Sequence, residues 1–324
     1  MSAVHSLNSK RMHKNTMILN YIIHKITLLC YCILLFLLPN FNESFAFPVA
    51  TFNIQNFCLK NDSHLNEEAY TIDEIYKLAS IMKESKAQLF ALQEIRDIRS
   101  LECLISCFPA WWRMEFSDAG GKQQLAFIWN KNYFQKKPDT TKQWFSDEIF
   151  EYEYNGIIKK PKLFDRPPLE ITFFSQKLGT QITFINVHLK SKTLSRYMNE
   201  TAGNDYNITK WHAQVKALKY ICKPYKIKNI FHPRRNLIFL GDFNRDDQEG
   251  DKQIRKLGIQ VYKLRNGFSY DKNKHNLDFF GLYNLDDKLK NKIWNVYEVE
   301  SAIKSNDYGD EIPDHDIIVL SYVN

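Results

Sequence analysis

From Pro48 onward, short apolar runs alternate with polar punctuation. "PVATFNIQNF" (48–57) opens with β-branched and aromatic residues and closes on amides, which predicts a first strand. In "TIDEIYKLASIMKESKA" (71–87), Thr71 and Glu74 stand at capping-box spacing, and Ile72, Ile75, Tyr76, Leu78, Ala79 and Met82 recur with helical period. That stretch predicts an amphipathic helix. "QLFALQEIRD" (88–97), "QQLAFIWN" (123–130), "LEITFFS" (169–175), "QITFINVHLKS" (181–191) and "NLIFLGDFN" (236–244) read as further strands. A helix over 209–220 is expected between the last two, with Trp211, Val215, Leu218 and Ile221 on one stripe. "DHDIIVLSY" (314–322) closes the chain as a strand.

Several of these strands are apolar on both faces, which calls for sheets covered by helices. No Gly-, Pro- or Ser-rich linker interrupts 47–324, so that segment is expected to be one α/β domain. The strands also share a feature at their ends, where an apolar run meets residues able to bind a cation or move a proton. These are Asn53, Glu94, His188, the pair Asp242 and Asn244, and the pair Asp314 and His315. Singly, each has an ordinary explanation: a turn cap, a surface charge, a satisfied core histidine, an Asx-turn. In open sheets, though, sites gather at strand ends, and several such termini at one rim form a cleft. Gly241 in "LGDFN" is expected to let the chain turn at that rim, with Asp242 and Asn244 projecting together and Phe243 packing away.

The first 46 residues follow another pattern. Lys10, Arg11, Lys14 and Lys25 precede a 13-residue apolar run, Ile26 to Leu38, and Ser44 and Ala46 carry the small residues of a signal-peptidase site. The expectation is a signal peptide over 1–46 and a secreted or periplasmic protein, with a membrane anchor as the alternative if the leader is not cleaved. Without the leader's four basic and one acidic residues, the net charge falls from +7 to +4, a weak pointer to a polyanionic partner. Cys58, Cys103, Cys107 and Cys222 would then meet oxidising conditions, with three possible pairings that spacing does not rank.

Glu94, Asn53 and an acidic partner supply hard oxygen ligands suited to Mg²⁺ or Mn²⁺, while the lack of paired Cys and His ligands speaks against zinc. Two histidines flanked by carboxylates supply a proton relay, and Arg166 offers a cation for a phosphate oxygen. Together they describe phosphate ester hydrolysis. The phosphate-binding G-x-x-x-x-G-K-[ST] loop, the G-x-G-x-x-G turn, the G-x-S-x-G elbow and the H-E-x-x-H helix are all absent from the sequence.

In these residues the chain resembles the endonuclease/exonuclease/phosphatase superfamily. The blocks "TFNIQNF", "LQEIRD", "LAFIW", "FDRPPLEITF", "INVHLKSK", "LGDFN", "NLDFF" and "PDHDIIV" occur in the family's order across 47–324. The resemblance implies a four-layered α/β sandwich of two packed mixed β-sheets flanked by helices, as in pancreatic-type deoxyribonuclease. It implies Asn53, Glu94 and Asp314 as holders of the catalytic ion, Mg²⁺ or Mn²⁺, with Ca²⁺ in a structural role. His188 and His315 would be the catalytic histidines, Asp278 the partner of one of them, and Asp242 and Asn244 would sit at the scissile phosphate. Asp242 or His315 would activate water. Arg96 and Arg166 would contact the substrate, and Lys190, Lys192 and Arg196 adjoin His188 where a polyanion backbone could be gripped. Two departures stand out: Gln123 occupies the region where the deoxyribonuclease has a glutamate supporting a catalytic histidine, and Pro313 replaces the usual Ser.

The function expected is an exported, metal-dependent DNA endonuclease leaving 5′-phosphate, acting as a monomer with nucleic acid as its partner. An inositol-polyphosphate phosphatase or sphingomyelinase-type phosphodiesterase is the rival enzyme, and an inactive binding module on the same scaffold the rival of another class.

Overall fold

The computed structural model describes residue 25 and residues 48–59, 69–118, 121–191, 200–227, 230–264, 269, 275–301, 303–304 and 311–323. The chain divides into two compact units, Met1–Ser44 and Phe45–Asn324, and the second carries the β-sheets. Apart from Lys25, the expected leader and its cleavage site lie outside the described residues.

The elements begin with β1 (Val49–Phe57), α1 (Ile72–Glu84), β2 (Leu89–Ile95), α2 (Ile98–Ser106), β3 (Trp112–Phe116), β4 (Gln124–Asn130), β5 (Phe134–Lys136) and β6 (Lys142–Gln143). A hairpin β7 (Tyr152–Tyr154) and β8 (Ile157–Lys159) leads to β9 (Leu169–Ser175), β10 (Thr180–His188) and α3 (Glu200–Cys222). Then come β11 (Tyr225–Ile227), β12 (Ile230–His232), β13 (Leu237–Asp242), α4 (Gln248–Arg255), β14 (Gln260–Tyr262), β15 (Asp278–Tyr283) and α5 (Asp287–Lys290). The last are β16 (Ile293–Val299), β17 (Ile303–Lys304), β18 (Glu311–Ile312) and β19 (Ile317–Val323).

One six-stranded sheet runs β16-β19-β1-β2-β4-β3, and a seven-stranded sheet runs β14-β15-β13-β10-β9-β5 with β6 also on β9. Both are mixed: β1 is parallel to β2 but antiparallel to β19, and β10 is parallel to β13 but antiparallel to β9. Strand periodicity explains the layers. Ala50, Phe52 and Ile54 of β1 pack under α1 and α2, against Ile75, Leu78, Met82, Leu101 and Leu104. Val49, Leu89, Phe127, Phe184, Leu240 and Leu320 fill the space between the sheets. Ile185, Val187, Leu237 and Phe239 face the other way, onto Trp211, Val215, Leu218 and Ile221 of α3. Helix, sheet, sheet, helix is the four-layered sandwich that the resemblance implied.

The capping box of α1 is formed as its spacing predicts: the Thr71 side chain accepts from the Glu74 N–H at 3.3 Å, and Glu74 accepts from the Thr71 N–H at 2.8 Å. By contrast α3 begins at Glu200, well before the expected Thr209. Its first turns bury Gly203 and Asn207 instead of apolar residues, so a search for a hydrophobic stripe misses them. Between the sheets the inward-facing residues turn polar toward one end. Gln93 donates to Asn186 Oδ1 at 2.8 Å and to Thr51 Oγ1 at 3.2 Å, while Asn186 donates to the Leu92 and Ala126 carbonyls, each at 2.9 Å. All three side chains are buried, so this web of hydrogen bonds ties one sheet to the other directly beneath the polar rim.

Candidate active site

The rim is built from the ends of β1, β2, β10, β13 and β15 and the approach to β19. In β1 and β2 the pairing register breaks after Asn53 and after Leu92 respectively. Beyond those breaks, Gln55, Asn56 and Glu94 have φ of 25°, 53° and 62°, a left-handed backbone that non-glycine residues adopt at a cost of order 1–3 kcal/mol each. These irregularities re-aim side chains out of the regular alternation. Asn53, still in register and inward-facing like Val49, lies with Nδ2 3.3 Å from Glu94 Oε1 and 3.1 Å from Asp242 Oδ2, bridging the two sheets.

His188 ends β10 beside Asp242, paired in register. Its Nε2 is 3.4 Å from Asp242 Oδ2 and 3.8 Å from Glu94 Oε1, and its buried Nδ1 has no hydrogen-bond partner. Burial, then the nearby charges of Arg166, His315 and Lys190, hold His188 well below the ordinary histidine range, which keeps the ring neutral. Asp278, the first residue of β15, accepts from His315 Nδ1 at 2.6 Å. Burial alone would lower His315, but the Asp278 carboxylate and its hydrogen bond, with Asp242 and Asp314 behind them, raise it to about 10, so this ring is an imidazolium. Asp314 lies next to the Nε2 side of His315, 3.9 Å away, and its N–H donates to Gln55 Oε1 at 3.1 Å.

The "GDFN" segment satisfies its two readings at once. Asp242 Oδ1 accepts from the Asn244 N–H at 2.8 Å, an Asx-turn, while Oδ2 faces Asn53 and His188. Asn244, with φ 55°, donates to the Leu189 carbonyl, and Phe243 stacks on Phe279 with ring centroids 3.7 Å apart. Gly241 serves differently from the turn expected of it. It lies inside β13, where a Cβ would meet the Val187 carbonyl oxygen at 2.0 Å, so close approach of β13 to β10 demands glycine.

A second web extends from Glu94 toward the open side. Gln123 donates through Nε2 to Glu94 Oε2 at 2.6 Å and to Asn56 Oδ1 at 2.7 Å, and its Oε1 accepts from Arg166 Nη1 at 2.6 Å. Arg96 Nη2 donates to Asn56 Oδ1 at 2.8 Å, whereas the adjacent Asp97 is occupied in capping α2 through Ser100. Arg96 and Arg166 each keep a buried Nε–H with no partner. Arg166 and Gln123 line a cavity of about 510 Å³ with Lys122, Lys162 and Asp165. Lys210 of α3, 1% exposed, pairs with Asp165 at 2.8 Å, and Gln214 accepts from the Lys190 N–H at 2.7 Å, fixing the chain just after His188. Lys190 lies among Asp165, Lys210 and Arg166; Lys192 and Arg196 fall outside the described residues. Gln123, Asn56, Lys210 and Gln214 belong to the site yet carry no motif, and only the departure at Gln123 marked one of them in the sequence.

The donors present fit a divalent cation. Asp242 and Asp278 bring carboxylate oxygens within 4.8 Å of each other and of the His315 ring, which as an imidazolium is their charge partner and not a ligand. Burial and the charge of Asp278 push the Asp242 carboxyl up to about 7, the mark of crowded negative charge that a cation relieves. Glu94 and Asn53 add further oxygens at the same rim.

Neither a protein-family model nor a curated protein matches the chain. Solved structures do. A humanized D. rerio TDP2 bearing 14 mutations is 14% identical, with 87% of this chain and 100% of that one covered and a TM-score of 0.57. D. rerio TDP2 complexed with a single-strand DNA product is 13% identical, covering 86% and 99%, with a TM-score of 0.51. An endonuclease/exonuclease/phosphatase from Bacteroides vulgatus is 11% identical, covering 86% and 99%, also with a TM-score of 0.51. The chain has the endonuclease/exonuclease/phosphatase fold.

Proposed function

We propose that this protein is an exported, divalent-metal-dependent phosphodiesterase that cuts nucleic acid, DNA in preference to RNA, and leaves 5′-phosphate ends. The observation that carries the proposal is the convergence of Asn53, Glu94, His188, Asp242 and the Asp278–His315 pair on one rim between the sheets, with Arg96 and Arg166 beside it. The likeness to a TDP2 that holds a single-strand DNA product supports nucleic acid as the partner. Export rests on the 13-residue apolar run and the Ser44 and Ala46 cleavage pattern, with 47–324 as the mature domain.

In this reading Asn53, Glu94 and Asp314 would hold the ion, Mg²⁺ or Mn²⁺, which would supply neutralisation of the phosphate charge and polarisation of the phosphate. Asp242 takes the proton of the attacking water, because its Oδ2 stands among Asn53 and His188 at the rim and His315 already carries a proton. His315 donates through Nε2 to the leaving oxygen, its Nδ1 being held by Asp278. Neutral His188 and the Asn244 amide orient phosphate oxygens, and Arg96, Arg166, Lys190 and Lys192 hold the flanking backbone. The exported domain, incubated with plasmid, single-stranded DNA, RNA, inositol phosphates and sphingomyelin with and without EDTA, is expected to cut DNA only when metal is available. His188→Ala and His315→Ala should each lower turnover by roughly 100-fold or more while the fold persists. Intact nucleic acid alongside hydrolysed inositol phosphate or sphingomyelin transfers the site to that substrate, and no hydrolysis of any of them defeats the enzyme reading.

A further inference from the structure

On the outer face of the seven-stranded sheet, beyond Ile185 and Val187 under α3, Thr183 and Gln181 of β10 lie opposite Thr172 and Phe174 of β9, with Glu170 opposite Ile185. Here an open cavity of about 870 Å³ lies between β9, β10, the C-terminal end of α3 and the chain before β13. Thr172 and Thr183 are paired across the two strands, and their hydroxyls bond to each other at 2.8 Å to form a polar floor. Thr183 and His188 are five residues apart on the same strand, so this polar floor lies roughly 16 Å along the strand from His188.

Its charge is one-sided. Lys137, Lys142, Lys223, Arg234 and Arg235 line it against two carboxylates, Glu170 and Asp286. Both carboxylates are already engaged. Glu170 accepts from Trp144 Nε1 at 2.7 Å and from Arg234 Nη2 at 2.5 Å, and Asp286 accepts from Asn236 at 2.7 Å and from Thr180 at 2.9 Å while capping α5. Arg234 gives a second N–H to the Ile221 carbonyl at 3.0 Å, which fixes the guanidinium at the cavity wall. Lys142 Nζ is seated over the Trp144 ring, 3.2 Å from its centroid, and Lys223 Nζ lies 3.8 Å from the centroid of Tyr220. Cations pre-placed on aromatic walls above a hydroxyl floor match a tetrahedral oxyanion carried on a larger ligand.

We propose that this cavity is a second anion site, separate from the catalytic rim, that takes a phosphorylated ligand. The phosphate would contact Arg234, Lys142 and Lys223. It could belong to a free phosphorylated small molecule or to the backbone of a polynucleotide. Calorimetric titration of the full chain in EDTA with pyrophosphate, adenosine monophosphate and a short single-stranded oligonucleotide tests it. Saturable binding of at least one is expected, unchanged in His188→Ala and weakened about tenfold or more in the surface double variant Lys142→Gln/Lys223→Gln. That variant should melt like the wild type and retain its hydrolytic turnover on a small substrate. Binding of pyrophosphate or the mononucleotide assigns the site to small ligands; binding of the oligonucleotide alone assigns it to a backbone. Affinity that is equal in the double variant, affinity lost in His188→Ala, or no binding of any probe overturns the proposal.

Discussion

Gln123 shows how much a single amide does at this rim. Its Nε2 holds Glu94 and Asn56 while its Oε1 holds Arg166, so one neutral side chain couples a proposed metal ligand to a proposed phosphate contact. A carboxylate there would keep the bond to Arg166 but face Glu94 Oε2 at about the same 2.6 Å, where like charges repel strongly. Gln123→Glu is therefore expected to raise the Mg²⁺ concentration for half-maximal activity by roughly 10- to 100-fold, the usual effect of disturbing groups that orient metal ligands. A metal titration of activity checks this, and an unchanged half-saturation point would show that Gln123 does not orient Glu94. The sequence revealed only that an amide stood where a glutamate was expected; which atoms it joins depends on Asn56 and Arg166, from segments far apart along the chain.

Among the elements, β1, β2 and β10 are locked together by Thr51, Gln93 and Asn186. Each lies one or two residues before a rim group: Asn53, Glu94 and His188 respectively. Asn186→Leu would take the buried donor away from the Leu92 and Ala126 carbonyls and remove one acceptor of the Gln93 amide, which keeps Thr51 and the Ala91 carbonyl, at a cost of roughly 3 kcal/mol. Denaturant unfolding should show that loss, and turnover should fall further than stability explains because the two halves of the rim lose their register. A variant of wild-type stability and activity would mean that the web positions nothing. Strands were legible because their apolar runs are long and bounded by amides and glycine. The first nine residues of α3 were not, because Gly203 and Asn207 are buried there for polar and steric reasons that hydrophobic periodicity does not register.

At the scale of the whole molecule, crowded carboxylates at the rim oppose folding unless a cation joins them. Adding Mg²⁺ or Mn²⁺ to chelated protein should therefore raise Tm. At 100 times the Kd the gain is about 2.7 kcal/mol, or roughly 5–10 °C for a domain of this size. Glu94→Gln should abolish most of that rise. A Tm indifferent to both ions would argue against a divalent ion at the rim. The cysteines also look different at this scale: among the described residues no disulfide joins Cys58, Cys103, Cys107 and Cys222, and burial pushes the Cys222 thiol up to about 12, so the core is held by packing between layers.

The amino-acid sequence by itself determined which segments are strands, that they alternate with covering helices, and that their ends carry Asn53, Glu94, His188, Asp242, Asn244, Asp314 and His315. Hydrophobic period and punctuation are local properties, so they can be read along the chain. The tertiary structure decided which partners those residues have. Asp278 belongs to His315 and not to His188, Gly241 serves the close approach of Val187, and Asn53 bridges Glu94 to Asp242 across the two sheets. These are relations between strands whose spacing in sequence is arbitrary. They exist only once the polar web beneath the rim has brought two sheets into register.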